Sequence, residues 1–186
     1  KYGAVVVHLT ARAVSLGLSD LFAATSPTAG RFALPTRDES IPYNVEQRDQ
    51  LWLAEELELV HLDVGLEGDR PPTEFARGEI VAWRDLQLQY DCGRDITDKL
   101  RQRIEKELRD RNIVRVNLYH APGAGGSTVA RRVLWDLHTR YPCAVLHRSE
   151  PHMTADRLGR IYGLTRQSIL LLIDGGEHSG LAVNQL

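Results

Sequence analysis

The residues best suited to chemistry lie in one short stretch, His120-Ala121-Pro122-Gly123-Ala124-Gly125-Gly126-Ser127-Thr128. Its three glycines open backbone conformations barred to residues with a Cβ, so that successive N–H groups can point inward at an anion's oxygens. A strand-like segment, Val114 to Tyr119, precedes the stretch, and a segment of helical periodicity, Thr128 to Tyr141, follows it. A glycine-rich turn from strand to helix adds the helix's own unpaired N–H groups and partial positive charge, an arrangement that holds phosphate. Set against the spacing G-x-x-x-x-G-K-[ST], the segment His120 to Ser127 keeps the sixth-position glycine, Gly125, and the hydroxyl, Ser127. His120 replaces the first glycine, and Gly126 replaces the lysine that grips the β and γ phosphates.

Losing that lysine weakens triphosphate binding by roughly 1.5 to 3 kcal/mol unless another cation substitutes for it. Arg131 is the first choice, because it follows Ser127 by one helical turn and helical side chains lean toward the N-terminus. Arg94 and His120 are the others. The expected nucleotide contacts are therefore Pro122, Gly123, Ala124, Gly125, Gly126, Ser127 and Thr128, with Arg94 and Arg131, around ATP or GTP. The alternative for Arg131 and Arg132 is a solvated helix face.

A second chemical feature lies downstream. The apolar run Ile169 to Ile173 ends in Asp174, which would stand at the carboxyl edge of a sheet beside a magnesium ion. Ser127 and Asp174 are the expected Mg2+ residues. Glu177, three positions on, is placed to orient or deprotonate an attacking water, with a solvent-exposed loop carboxylate as the alternative. The loop and the acidic strand end occur in the right order, separated by one strand and one helix, and the pair is more specific than either alone.

These groups need a scaffold, and the flanking pattern supplies one. Strand Val114–Tyr119, helix Thr128–Tyr141, strand Cys143–His147, helix Ala155–Tyr162 and strand Ser168–Ile173 alternate as in a parallel sheet, whose ligands bind at the strands' carboxyl ends. Upstream, Ala4–Leu9 reads as a strand, Ala11–Ala24 as a helix, Tyr43–Leu57 as a helix capped by Asn44, and Glu58–Val64 as a strand. Gly65–Thr73 is linker-like, Glu79–Leu88 a short strand or edge segment, and Ile96–Leu108 an amphipathic helix capped by Asp95 or Thr97. The expected fold is α/β: a parallel-sheet P-loop NTPase portion, cut soon after the acidic strand, preceded by a smaller α/β segment. The expected division is 1–66, an α/β segment of unassigned role for which the end of an upstream Rossmann-like domain is one reading; 67–112, linker, edge segment and helix; and 113–186, the start of the nucleotide domain. The chain is expected to be a segment of a longer polypeptide.

Composition narrows the classes. Apolar residues at 42% and charged residues at 26% suit an ordinary globular protein. With 23 basic and 25 acidic residues the totals carry no basic footprint for nucleic acid. Arg101, Arg103, Arg109, Arg111 and Arg115 motivate that reading, but interleaved acidic residues favour a solvated face. Cys92 and Cys143 are too few for a disulfide framework, which fits a reducing, cytoplasmic setting. The seven histidines lack metal-ligand spacing, and no apolar run approaches the ~20 residues of a membrane helix.

The segment DGGEH after ILLLI resembles the D-G-x-D/E-E strand end of the signal-transduction ATPases with numerous domains, with Asp174, Gly175 and Glu177 matching and His178 departing. YDCGRDITDKL resembles the Gly-Arg element that precedes the loop in that group, which implies that Gly93 and Arg94 lie near the base or phosphates. PGAGGSTVARRVLWDL and FARGEIVAWRDLQL are similar to the P-loop region of sterile-alpha-motif-containing antiviral factors and their bacterial relatives. The resemblance spans roughly residues 74 to 178. It implies that Gly126 belongs to a variant loop, and that the chain is part of a multidomain defence regulator whose nucleotide switch works with other domains and with further copies of itself. The leading expectation is thus an ATP- or GTP-binding switch with slow hydrolysis. A non-hydrolysing nucleotide-binding scaffold and a nucleic-acid-binding module are the alternatives.

Overall fold

The computed structural model describes residues 4–10, 32–38, 41–65, 71–78, 80–111, 113–147 and 151–174. In chain order these form β1 (Ala4–Thr10), β2 (Ala33–Leu34), β3 (Tyr43–Asn44), α1 (Gln47–Ala54), β4 (Leu57–Val60), α2 (Pro72–Ala76), α3 (Trp83–Gln87), α4 (Asp95–Arg109), β5 (Val114–Tyr119), α5 (Gly126–Leu137), β6 (Cys143–Leu146), α6 (Pro151–Thr165) and β7 (Ile169–Ile173). Among the described residues no helix is long and apolar enough to cross a membrane.

The main sheet has five strands in the order β4-β6-β7-β1-β5. β6, β7, β1 and β5 run parallel, while β4 pairs antiparallel with β6, Leu57 opposite Leu146 and Val60 opposite Cys143. The sheet is therefore mixed: the three strands expected to run parallel do so, and the reversed edge strand is recruited from upstream, on which the downstream alternation of strands and helices carries no information. The sheet also takes β1 and β4 from before residue 66 and β5 to β7 from after it. The expected boundary at 66 does not divide the sheet.

β7 explains the sheet's layering. Leu170 and Leu172 pack on one face with Leu100, Ile104 and Leu108 of α4 and Val129, Val133 and Leu137 of α5. Ile169, Leu171 and Ile173 pack on the other with Leu53 of α1, Leu57 and Leu59 of β4, and Ile161 of α6. A strand covered on both faces reads as an unbroken apolar run, as ILLLI does. The second layer is tied down by a buried charge cluster. The Arg157 guanidinium pairs with Glu56 at 2.8 Å and with Glu55 at 2.5 Å, and the Thr154 hydroxyl donates to Glu56 at 2.6 Å.

Several local expectations are corrected. Glu79–Leu88 contains helix α3, which buries Trp83 and Leu86 and whose Ala82 N–H donates to the Asp85 carboxylate at 2.8 Å. A five-residue helix is too short to display a period of 3.6. Asn44 lies in β3, opposite Ala33, rather than capping α1. Arg94 is the residue preceding α4, with Asp95 its first helical position and no side-chain cap. The expected helix at 11–24 lies outside the described residues.

Candidate functional site

The loop between β5 and α5 is built by its glycines. The Ala124 N–H donates to the Ala121 carbonyl at 3.0 Å, closing a turn, and the Val129 N–H donates to Gly125 at 3.0 Å, starting the helix. Gly123 (φ 76°) and Gly125 (φ 75°, ψ 30°) are both in the left-handed region that favours glycine. At Gly123 no atom crowds a Cβ, so the backbone alone requires glycine there; at Gly125 an added Cβ would also lie 3.0 Å from Arg94 Nη2. Gly126, Ser127 and Thr128 are the first three helical positions, and Gly125 provides no side-chain cap. Their N–H groups have no intrahelical acceptor, and they concentrate the positive end of the helix dipole at the loop.

Ser127 and Asp174, expected as the magnesium residues, meet in space. The Ser127 hydroxyl donates to Asp174 Oδ1 at 3.2 Å across 47 positions of sequence, both groups being partly buried. Strand β7 delivers Asp174 to its carboxyl end, and the helix start delivers Ser127. A hydroxyl and a carboxylate are hard oxygen donors of the kind magnesium takes. Among the described residues no group of three or more His, Cys, Asp or Glu could cage a metal ion. A magnesium ion here would therefore use these two groups with water and ligand oxygens, its usual manner of binding.

The cations are arranged differently from expectation. Arg131, the first choice to replace the lysine, is buried, pairs with Glu58 at 3.2 Å and lies over the Trp83 ring at 4.9 Å. Glu58 also accepts the Trp83 indole N–H at 2.5 Å, and His147 Nε2 stands 3.8 Å from it. The guanidinium is thus committed to the β4 edge, a partner that lies 73 positions away in sequence and cannot be seen from helical spacing. Arg94 is the arginine at the loop: its Nη1 donates to the Ala124 carbonyl at 2.6 Å. Arg132 holds the approach to Arg94 in place, donating to both oxygens of Asp91 and to the Leu86 carbonyl, the latter at 2.8 Å.

Two further features escape a reading by motif. The His120 ring occupies the space into which a Cβ on Gly126 would project. Beside the helix start, a crevice of about 120 Å³ is lined by Phe75, Asp91, Cys92, Arg94 and Thr128. That is below the ~300 Å³ at which pockets for drug-sized ligands begin, and it suits one ring system rather than a whole nucleotide. The signal for the first was present in the sequence, since both departures from the loop pattern fall within seven residues. Nothing in the sequence joined Phe75 to the crevice. Pro122, Gly123 and Ala124 are exposed in the loop, while Gly175, Glu177 and His178 lie outside the described residues. Of the arginines suggesting nucleic acid, Arg101 pairs with Asp98 at 3.1 Å and approaches Asp136 at 3.9 Å.

Comparison with known proteins finds partial relatives. The chain is 61% identical over 81 residues to human sterile alpha motif domain-containing protein 9-like, covering 39% of this chain and 5% of that protein. It is 30% identical over 121 residues to human sterile alpha motif domain-containing protein 9, covering 56% of this chain and 8% of that protein. The mouse 9-like protein matches at 61% over 31 residues, 17% of this chain and 2% of that protein. The chain thus spans under a tenth of the length of these relatives. No family model and no solved structure matches it.

Proposed function

We propose that this chain is a nucleoside-triphosphate-binding module of a signal-transduction type of P-loop ATPase, within a multidomain signalling or defence protein. The observation that carries the reading is the approach of the Ser127 hydroxyl to Asp174 at 3.2 Å, beside a helix start preceded by two left-handed glycines. In this reading the N–H groups of Gly126, Ser127 and Thr128 hold phosphate oxygens, Arg94 stands beside them, and the crevice at Phe75 and Cys92 receives the base. Bound magnesium supplies charge neutralisation for the phosphates. Ser127 and Asp174 would hold it, and Arg132 keeps Arg94 in register through Asp91. Glu177 is the residue proposed to act on water, and turnover is slow. The relatives' similarity supports a piece of a much larger polypeptide.

Titration with ATP, GTP and their diphosphates, with and without magnesium, tests this. Saturable binding below millimolar concentration, tightened by magnesium, is the expected result. The reading fails if none of the four binds at millimolar concentration. Binding without any turnover would favour a nucleotide-held assembly scaffold over an enzyme.

A further inference from the structure

The loop's two departures from G-x-x-x-x-G-K-[ST] are one feature in space. A Cβ built on Gly126 runs into Cδ2, Nε2 and Cγ of the His120 ring, far inside contact distance. Nδ1 of that ring lies 3.0 Å from the Ala121 carbonyl, which anchors the imidazole over the loop. Any side chain at position 126 must first displace it. The His120 ring as placed and a side chain at position 126 therefore exclude each other. The exchange places a nitrogen-bearing ring over the helix start, on the side from which a lysine at position 126 would leave.

We propose that His120 and Gly126 form a coupled pair in which the His120 imidazole takes the lysine's position and contacts the bound phosphates. With Nδ1 turned to the Ala121 carbonyl at 3.0 Å, Nε2 is the nitrogen left to meet a phosphate oxygen. Arg94 is the arginine hydrogen-bonded to this loop, and the Ser127 hydroxyl donates to the Asp174 carboxylate. The phosphate-binding part of the proposal rests on the nucleotide reading given above, whereas the coupling of the two residues does not. The pair also changes the meaning of the simplest substitution. Gly126→Lys alone does not restore a standard loop, because it collides with His120; His120→Gly with Gly126→Lys does.

Two measurements on the chain decide it. Thermal unfolding without nucleotide reads the coupling through its sign. Gly→Ala at an unobstructed helical position raises Tm by roughly 2 to 4 °C for a domain of this size. In the native background Gly126→Ala lowers Tm instead, and in a His120→Ala background it raises it. The same direction of shift in both backgrounds overturns the coupling. ATP titration reads the phosphate role. His120→Ala and Gly126→Lys each weaken ATP binding by about tenfold or more, the effect of losing a charge-assisted contact, and the His120→Gly/Gly126→Lys protein regains at least native affinity. Unchanged affinity in His120→Ala, or tighter binding by Gly126→Lys alone, overturns that role. Failure of the native chain to bind any nucleotide removes the nucleotide reading and the phosphate contact together, while the melting temperatures still decide the pair.

Discussion

Arg94 and Arg131 are both expected at the phosphates, but Arg131 pairs with Glu58 while Arg94 stays at the loop, and truncating each to alanine separates stability from binding. Arg131 has an 11%-exposed side chain against a 29%-exposed Glu58, and it covers Trp83 at 4.9 Å. Its removal forfeits a partly desolvated ion pair of about 1 to 2 kcal/mol and a cation–π contact of about 0.5 to 2 kcal/mol. Glu58 keeps the Trp83 indole N–H at 2.5 Å, so the full cost of orphaning a buried charge is not incurred. A loss of roughly 2 to 4 kcal/mol follows, which lowers Tm by about 5 to 15 °C. Arg94 is exposed and makes one charged hydrogen bond to a loop carbonyl, so Arg94→Ala changes stability by less than about 0.5 kcal/mol. On the proposed function it weakens nucleotide binding by about tenfold or more, the value of one lost charge-assisted contact. The assay is Tm by circular dichroism beside ATP affinity by fluorescence titration, on both variants. If Arg131→Ala leaves Tm within about 2 °C of native while cutting affinity, Arg131 serves the ligand and the assignment made from the geometry is wrong.

Other expectations follow from the same contacts. Ser127→Ala and Asp174→Asn each abolish the tightening of nucleotide binding by magnesium while leaving magnesium-free binding within about threefold, measured by titration with and without chelator. Arg157→Met leaves Glu56, which is 3% exposed, with the Thr154 hydroxyl but without the Arg157 charge, and costs about 3 to 5 kcal/mol in urea unfolding; a cost below about 1 kcal/mol would show that the cluster is dispensable. Burial pushes the Cys143 thiol far up, so at pH 8 a maleimide labels the exposed Cys92 first, and bound nucleotide slows that labelling if the crevice seats the base. His138 is buried and its pKa is depressed below 6.5 mainly by desolvation, so the unfolded chain binds its proton first. Its contribution to stability is complete above about pH 6.5 and is lost as pH falls below it; His138→Gln flattens that part of the stability profile in urea titrations between pH 7.5 and 5.

What was legible in the sequence was what short-range pattern carries. The glycines of HAPGAGGST, the apolar run ending at Asp174 and the stripe Leu100, Ile104, Leu108 of α4 each announce an element through local periodicity or turn chemistry, and the structure contains all three. Even the meeting of Ser127 and Asp174 was foreseeable, because the expected turn and the expected strand both deliver their ends to one sheet edge. Tertiary structure decided the rest. The reversal of β4 and the recruitment of β1 between β5 and β7 depend on pairings between strands far apart in sequence, on which local pattern is silent. Arg131 was misplaced because a helical face says which way a side chain leans and not which carboxylate waits there, and Glu58 arrives from another strand. In the sequence His120 and Gly126 are two separate departures from the loop pattern. Only the backbone's path, which brings position 120 over position 126, makes them one packing choice.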